Sequence, residues 1–152
     1  MMPLQTLVIG DSVKTLPEGV FYGQSGLTSL TIGESMITIG DNAFAGSPHV
    51  TTLYYNAKNL TTTADWYNAS EDYNNYGFRM MPLQTLVIGN SVETLPEGVF
   101  YGQNDLASLT IGNSVTAIAA NAFKDCSTLT SGRPYPHRVN DSTDEGIWKN
   151  QD

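Results

Sequence analysis

One spacing constrains this chain more than any other feature. Leu4, Leu27, Leu83 and Leu106 each open a copy of the same unit, and adjacent regular copies lie 23 residues apart (4 to 27, 83 to 106). Residues 2–53 and 81–132 align without a gap at an offset of 79, with 33 of 52 pairs identical. That offset divides into two regular copies and one long copy, Val50–Pro82, which carries ten extra residues. A fixed period in the range of about 20–50 residues is the signature of a solenoid, whose units bury their apolar faces only by stacking.

Within each regular copy three segments recur. The first is L-x-x-L-x-I, as in Leu27-Leu30-Ile32 and Leu83-Leu86-Ile88. Its period of two predicts a short strand with one buried face. A glycine follows at 10, 33, 89 and 112, with Asn56 in the long copy; this position reads as a turn that needs positive φ. The second segment, as in Ser12-Val13-Leu16 or Ser114-Val115-Ile118, reads as another short extended stretch. The third ends on a small residue and Phe: Val20-Phe21, Ala43-Phe44, Val99-Phe100, Ala122-Phe123. Asp41-Asn42-Ala43-Phe44 suggests a helical turn with Asp near its cap. Stacked copies should give parallel strands about 4.8 Å apart.

The long copy begins normally at Val50-Leu53-Tyr55 and then departs from the pattern. Phe78 precedes Leu83 by five residues against the usual six, so it should restore the Phe ladder while ten residues bulge out before it. Tyr54, Trp66, Tyr67, Tyr73 and Tyr76 gather in this copy. Aromatic side chains with polar tips recur at interfaces, which makes these five the candidate binding residues. The competing reading has them anchor the bulge to the solenoid, and Tyr55, standing where other copies have Ile, is assigned to the core. A second candidate is the outward strand face: Thr6/Val8, Ser29/Thr31, Thr52/Tyr54, Thr85/Val87 and Ser108/Thr110.

Several classes are disfavoured. The net charge is −8, from 15 acidic and 7 basic residues, and no Lys/Arg cluster exists to hold nucleic acid or an anionic membrane. No apolar run approaches the roughly 20 residues that span a bilayer. His49 occupies a spacer between copies, His137 lies beyond the repeats, and Cys126 is the single cysteine. These share no position in the coil, so no catalytic set and no zinc set emerges, and no cofactor is expected. Cys126 reads as a small core residue. Met1–Ile9 has no signal-peptide pattern, and Met1-Met2-Pro3-Leu4 repeats at Met80-Met81-Pro82-Leu83, so the chain reads as a piece of a longer array.

The consensus L-T-S-L-T-I-G-x-S-V/M-x-x-I-x-x-N-A-F-x-x-C/S is best matched at 27–47 and 106–126. It resembles the BspA-like leucine-rich repeat, a bacterial cell-surface class, over about residues 4–130. The resemblance implies an α/β, right-handed leucine-rich-repeat solenoid of about five coils, with short parallel strands and single-turn helices. It would occupy residues 1–131, followed by an irregular tail at 132–152. The implied function is non-enzymatic adhesion or recognition of a protein or glycan by a secreted or surface-anchored protein. The alternative is a spacer or self-assembling element that associates end to end through its first coil.

Overall fold

The computed structural model describes residues 4–63, 66, 77–79 and 81–126, together with the backbone of 140–141. The spine is a five-stranded parallel sheet of β1 (Thr6–Val8), β3 (Ser29–Ile32), β5 (Thr52–Tyr55), β6 (Thr85–Ile88) and β8 (Ser108–Ile111), in that order. Four circuits of chain join these five strands. The register follows the repeat: Leu7 pairs with Leu30, Leu30 with Leu53, Leu53 with Leu86 and Leu86 with Leu109. The β5–β6 step keeps this register although 33 residues separate the pairs, so the insertion leaves the main sheet undisturbed. A slip of one residue would send every core side chain to solvent, and the apolar pattern forbids it.

The second extended segments form two smaller parallel sheets. One is β2 (Thr15–Leu16) with β4 (Thr38–Ile39). The other is β7 (Thr94–Leu95), β9 (Ala117–Ile118) and β10 (Asn140–Asp141). The long copy separates them. There Thr61 donates both its N–H and its hydroxyl to the Ile37 carbonyl (2.9 Å each), while the Thr62 hydroxyl reaches across to the Glu97 carbonyl (2.6 Å). Side-chain hydroxyls thus bridge the gap in the ladder. β10 falls in the stretch expected to be an irregular tail; the remainder of 127–152 lies outside the described residues.

Where single-turn helices were expected, the regular copies have turns. Asn42 and Asn121 adopt φ of 58° and 62°, and Gly19 and Gly98 take the same conformation at the equivalent positions. Four residues on, Gly23, Gly46, Gly102 and Asp125 are left-handed as well. Two left-handed residues in so short a stretch prevent an α-helix. The amides turn to the next coil instead: Gly19, Phe21 and Gly23 donate to the carbonyls of Asp41, Ala43 and Ala45 (2.7–3.0 Å), and Gly98, Phe100 and Gly102 do the same to Ala120, Ala122 and Lys124. Inter-coil bonding therefore runs along this side too, which is why the apparent cap at Asp41-Asn42 starts no helix.

The glycines after each strand also differ from expectation, since Gly10, Gly33, Gly89 and Gly112 have no positive φ. At Gly33 and Gly112 the requirement is space, whereas Gly10 has nothing within 4 Å of where its Cβ would stand. A Cβ on Gly33 would stand 2.5 Å from the Gly10 carbonyl oxygen, and one on Gly112 would strike that of Gly89. Coil backbones approach so closely here that only a hydrogen fits.

The interior holds Leu, Ile, Val and Met ladders and a column of rings. Phe21, Phe44, Phe78, Phe100 and Phe123 stack at centroid spacings of 5.9, 6.4, 6.0 and 5.5 Å, with interplanar angles of 9–26°. Phe78 takes its place in this column as its spacing predicted. Three residues after Phe100 and Phe123, a polar side chain caps the preceding ring's backbone. Cys126, buried as expected, donates its thiol to the Phe100 carbonyl (3.4 Å). Buried Gln103 donates to the Phe78 carbonyl (2.8 Å) and accepts from the Leu83 N–H (3.3 Å). Ser47, at the same position and equally buried, leaves its hydroxyl without a partner.

Candidate functional site

The outward face of the main sheet is a regular surface built by five in-register strands. Five strands about 4.8 Å apart give it a width of about 19 Å. One row across the strands is wholly hydroxylated: Thr6, Ser29, Thr52, Thr85 and Ser108 stand in register. The row beside it reads Val8, Thr31, Tyr54, Val87, Thr110. No member of either row is charged. Strand alternation creates this face, because Leu30, Leu53 and Leu86 point inward with no exposure while their neighbours point out.

Tyr54 stands at the centre of that face, on the middle strand, between Thr31 and Val87. It is 43 % exposed, whereas the adjacent Tyr55 is fully buried. Tyr55 takes the inward place that Ile32 and Ile88 hold in the flanking strands, and its ring meets Phe100 and Phe78 edge-on at 5.4 and 6.3 Å. Burial without a hydrogen-bond partner pushes its phenol far above the ordinary tyrosine range.

Trp66 belongs to the other class of expected residue. It is 5 % exposed, and its indole meets Phe78 edge-on at 5.8 Å. Gly77, with φ of 56°, lies directly under the six-membered ring, where any Cβ would strike it. Trp66 therefore pins the base of the insertion to the Phe column, and its apolar surface is spent in the core. Nothing in the aromatic count distinguished it from a binding residue; Gly77, one residue before Phe78, was the available signal. Tyr67, Tyr73 and Tyr76 lie outside the described residues.

Charge is sparse and peripheral. Glu34 accepts the Ser91 hydroxyl (2.8 Å) and lies 3.7 Å from Lys58, so it straps three coils together at an exposed corner. Such an exposed pair is worth little. On the turn side the Tyr101 phenol is raised, first by burial and then by its hydrogen bond to Asp125 and that carboxylate's charge, against the opposing charge of Arg79. His49 is exposed in a turn, as expected. Among the described residues no group of His, Cys, Asp and Glu could hold a metal ion, and no helix is long and apolar enough to cross a membrane.

These features define a parallel-strand repeat solenoid with a flat, uncharged outer face. The chain matches the family model of the BspA type leucine-rich repeat region, in six copies over residues 1–130. It belongs to that family, a non-enzymatic surface repeat of the protein-interaction type. No match is found among curated proteins or solved structures.

Proposed function

We propose that this solenoid is a recognition module of a secreted or surface-attached protein, and that it binds a protein ligand across the outer face of the main sheet. One observation carries the reading. Five in-register strands present two uncharged rows, and the large side chain left exposed at their centre is Tyr54. A partly exposed tyrosine among small hydroxylated neighbours supplies contact area with a polar tip and little entropy to lose. The absence of charge from the face suits a ligand that is read by shape and hydrogen bonds rather than steered by field.

The test is an array of matrix and cell-surface proteins with purified glycans beside them, followed by affinity measurement for each hit. Tyr54→Ala should weaken a protein hit by about tenfold or more while Tm stays within about 2 °C. A hit that ignores Tyr54→Ala and Thr31→Lys alike would remove the outer face as the site. Retention of glycans alone would replace the protein ligand by a sugar.

A further inference from the structure

The outer face carries a ruler as well as a chemistry. Its two rows run across the strands, so side chains recur at one strand step, about 4.8 Å, and at two, about 9.6 Å. Elsewhere in the coils hydroxyls are committed: those of Thr28, Thr61 and Thr116 each donate to a carbonyl of the preceding coil, at 2.9–3.4 Å. Those of Thr6, Ser29, Thr52, Thr85 and Ser108 have no such bond among the described residues. They form an in-register line of uncommitted donors. Beside that line the Tyr54 ring stands exposed between half-buried Thr31 and Val87. A ligand that fits must bring spare acceptors at a matching repeat, an apolar group for the tyrosine ring and no charge.

We propose that this ligand is a proline-rich segment of another protein in the polyproline II conformation, lying across the strands with a proline ring on Tyr54; the inference rests on the outer face being the binding site. Three residues of polyproline II make one turn of about 9.3 Å, against about 9.6 Å for two strand steps. Over all four steps the two repeats part by about 0.6 Å, so each turn of the ligand meets the same contacts. Other backbones fit worse. An α-helix spends its carbonyls internally and repeats at about 5.4 Å, which drifts by about 2.4 Å over the same four steps. An extended strand repeats at about 6.6–6.8 Å, between one strand step and two, and it binds an open sheet edge rather than a face. Polyproline II makes no internal hydrogen bonds and proline has no N–H, so the ligand offers carbonyl acceptors to a row of hydroxyl donors. Its conformation is preformed, so little entropy is lost on binding. Proline also brings no charge to rows that hold none, whereas an acidic segment would approach a chain of net charge −8.

Fluorescence polarisation with a labelled, end-capped peptide of about nine prolines tests the proposal, with a flexible Gly-Ser peptide of equal length as control. The proline peptide should bind saturably and about tenfold or more tighter than the control. Tyr54→Ala should weaken it about tenfold or more. Thr52→Val and Thr85→Val together, which remove two hydroxyls and keep the β-branched shape, should weaken it by about fivefold or more. Tyr22→Ala, which removes a 68 % exposed tyrosine from the turn side, should leave binding unchanged. Circular dichroism shows that each variant is folded. Absence of saturable binding overturns the proposal, as does equal binding of the Gly-Ser peptide or binding indifferent to Tyr54→Ala. The two readings fail separately. A protein ligand that needs Tyr54 but is not displaced by the proline peptide refutes the proline-rich class and keeps the face, whereas a ligand indifferent to Tyr54→Ala and Thr31→Lys removes the face itself.

Discussion

Replacing Tyr55 by Phe should make this protein more stable, although Tyr55 is among the most deeply buried side chains in the molecule. Its ring is fully enclosed, with edge contacts to Phe78 and Phe100 that a phenylalanine keeps. Its hydroxyl is buried without a hydrogen-bond partner. Such a group forfeits its hydration on folding, at a cost of about 1–3 kcal/mol. Deleting it should recover most of that, less a small loss of packing where the oxygen stood. For a chain of about this size the gain corresponds to a rise in Tm of several degrees. The pH dependence supplies a second readout. Burial raises the folded phenol's pKa, while the unfolded phenol titrates near the ordinary value of about 10. Above that pH the unfolded chain has lost a proton that the folded chain keeps, so wild-type stability falls as pH rises. Phenylalanine has no proton to lose, and the advantage of Tyr55→Phe should therefore widen above about pH 10. Urea unfolding followed by far-UV circular dichroism, at pH 7 and again near pH 10.5, measures both effects. A lower midpoint for Tyr55→Phe at pH 7 would show that the hydroxyl is satisfied and refute the reasoning.

Two further substitutions separate equivalent sequence positions by their neighbours. Gly33→Ala should cost about 1–3 kcal/mol because its methyl meets the Gly10 carbonyl, whereas Gly10→Ala, with nothing within 4 Å, should change stability by about 0.5 kcal/mol or less; thermal melts of the pair decide it. Trp66→Ala should lose about 3–5 kcal/mol in urea unfolding and leave the affinity of any outer-face ligand unchanged at temperatures where the variant is folded.

Much of the architecture was legible in the residues, for a physical reason. A repeat unit that cannot bury its own apolar face must stack, and stacking at a fixed period dictates which residues pair. The 23-residue spacing therefore predicted the Leu7–Leu30–Leu53–Leu86–Leu109 line, and the five-residue gap to Leu83 predicted that Phe78 rejoins the ring column. Strand alternation likewise separated Tyr54 from Tyr55, one outward and one inward.

What the sequence could not decide depended on atoms brought together from different coils. Asp41-Asn42 carries a helix signal locally, yet the amides of the neighbouring coil bond outward along the stack, and left-handed Asn42 follows from that geometry. The glycines after each strand look like turn residues in one coil; only the preceding coil's carbonyl shows that Gly33 and Gly112 are needed for clearance. Trp66 counted as one aromatic among several until Gly77 and Phe78 closed around it. The period alone thus determined register, core and outer face, because these are properties of one coil repeated. Only the stacked structure decided which polar groups found partners and which glycines were needed, because each of those belongs to the contact between two coils.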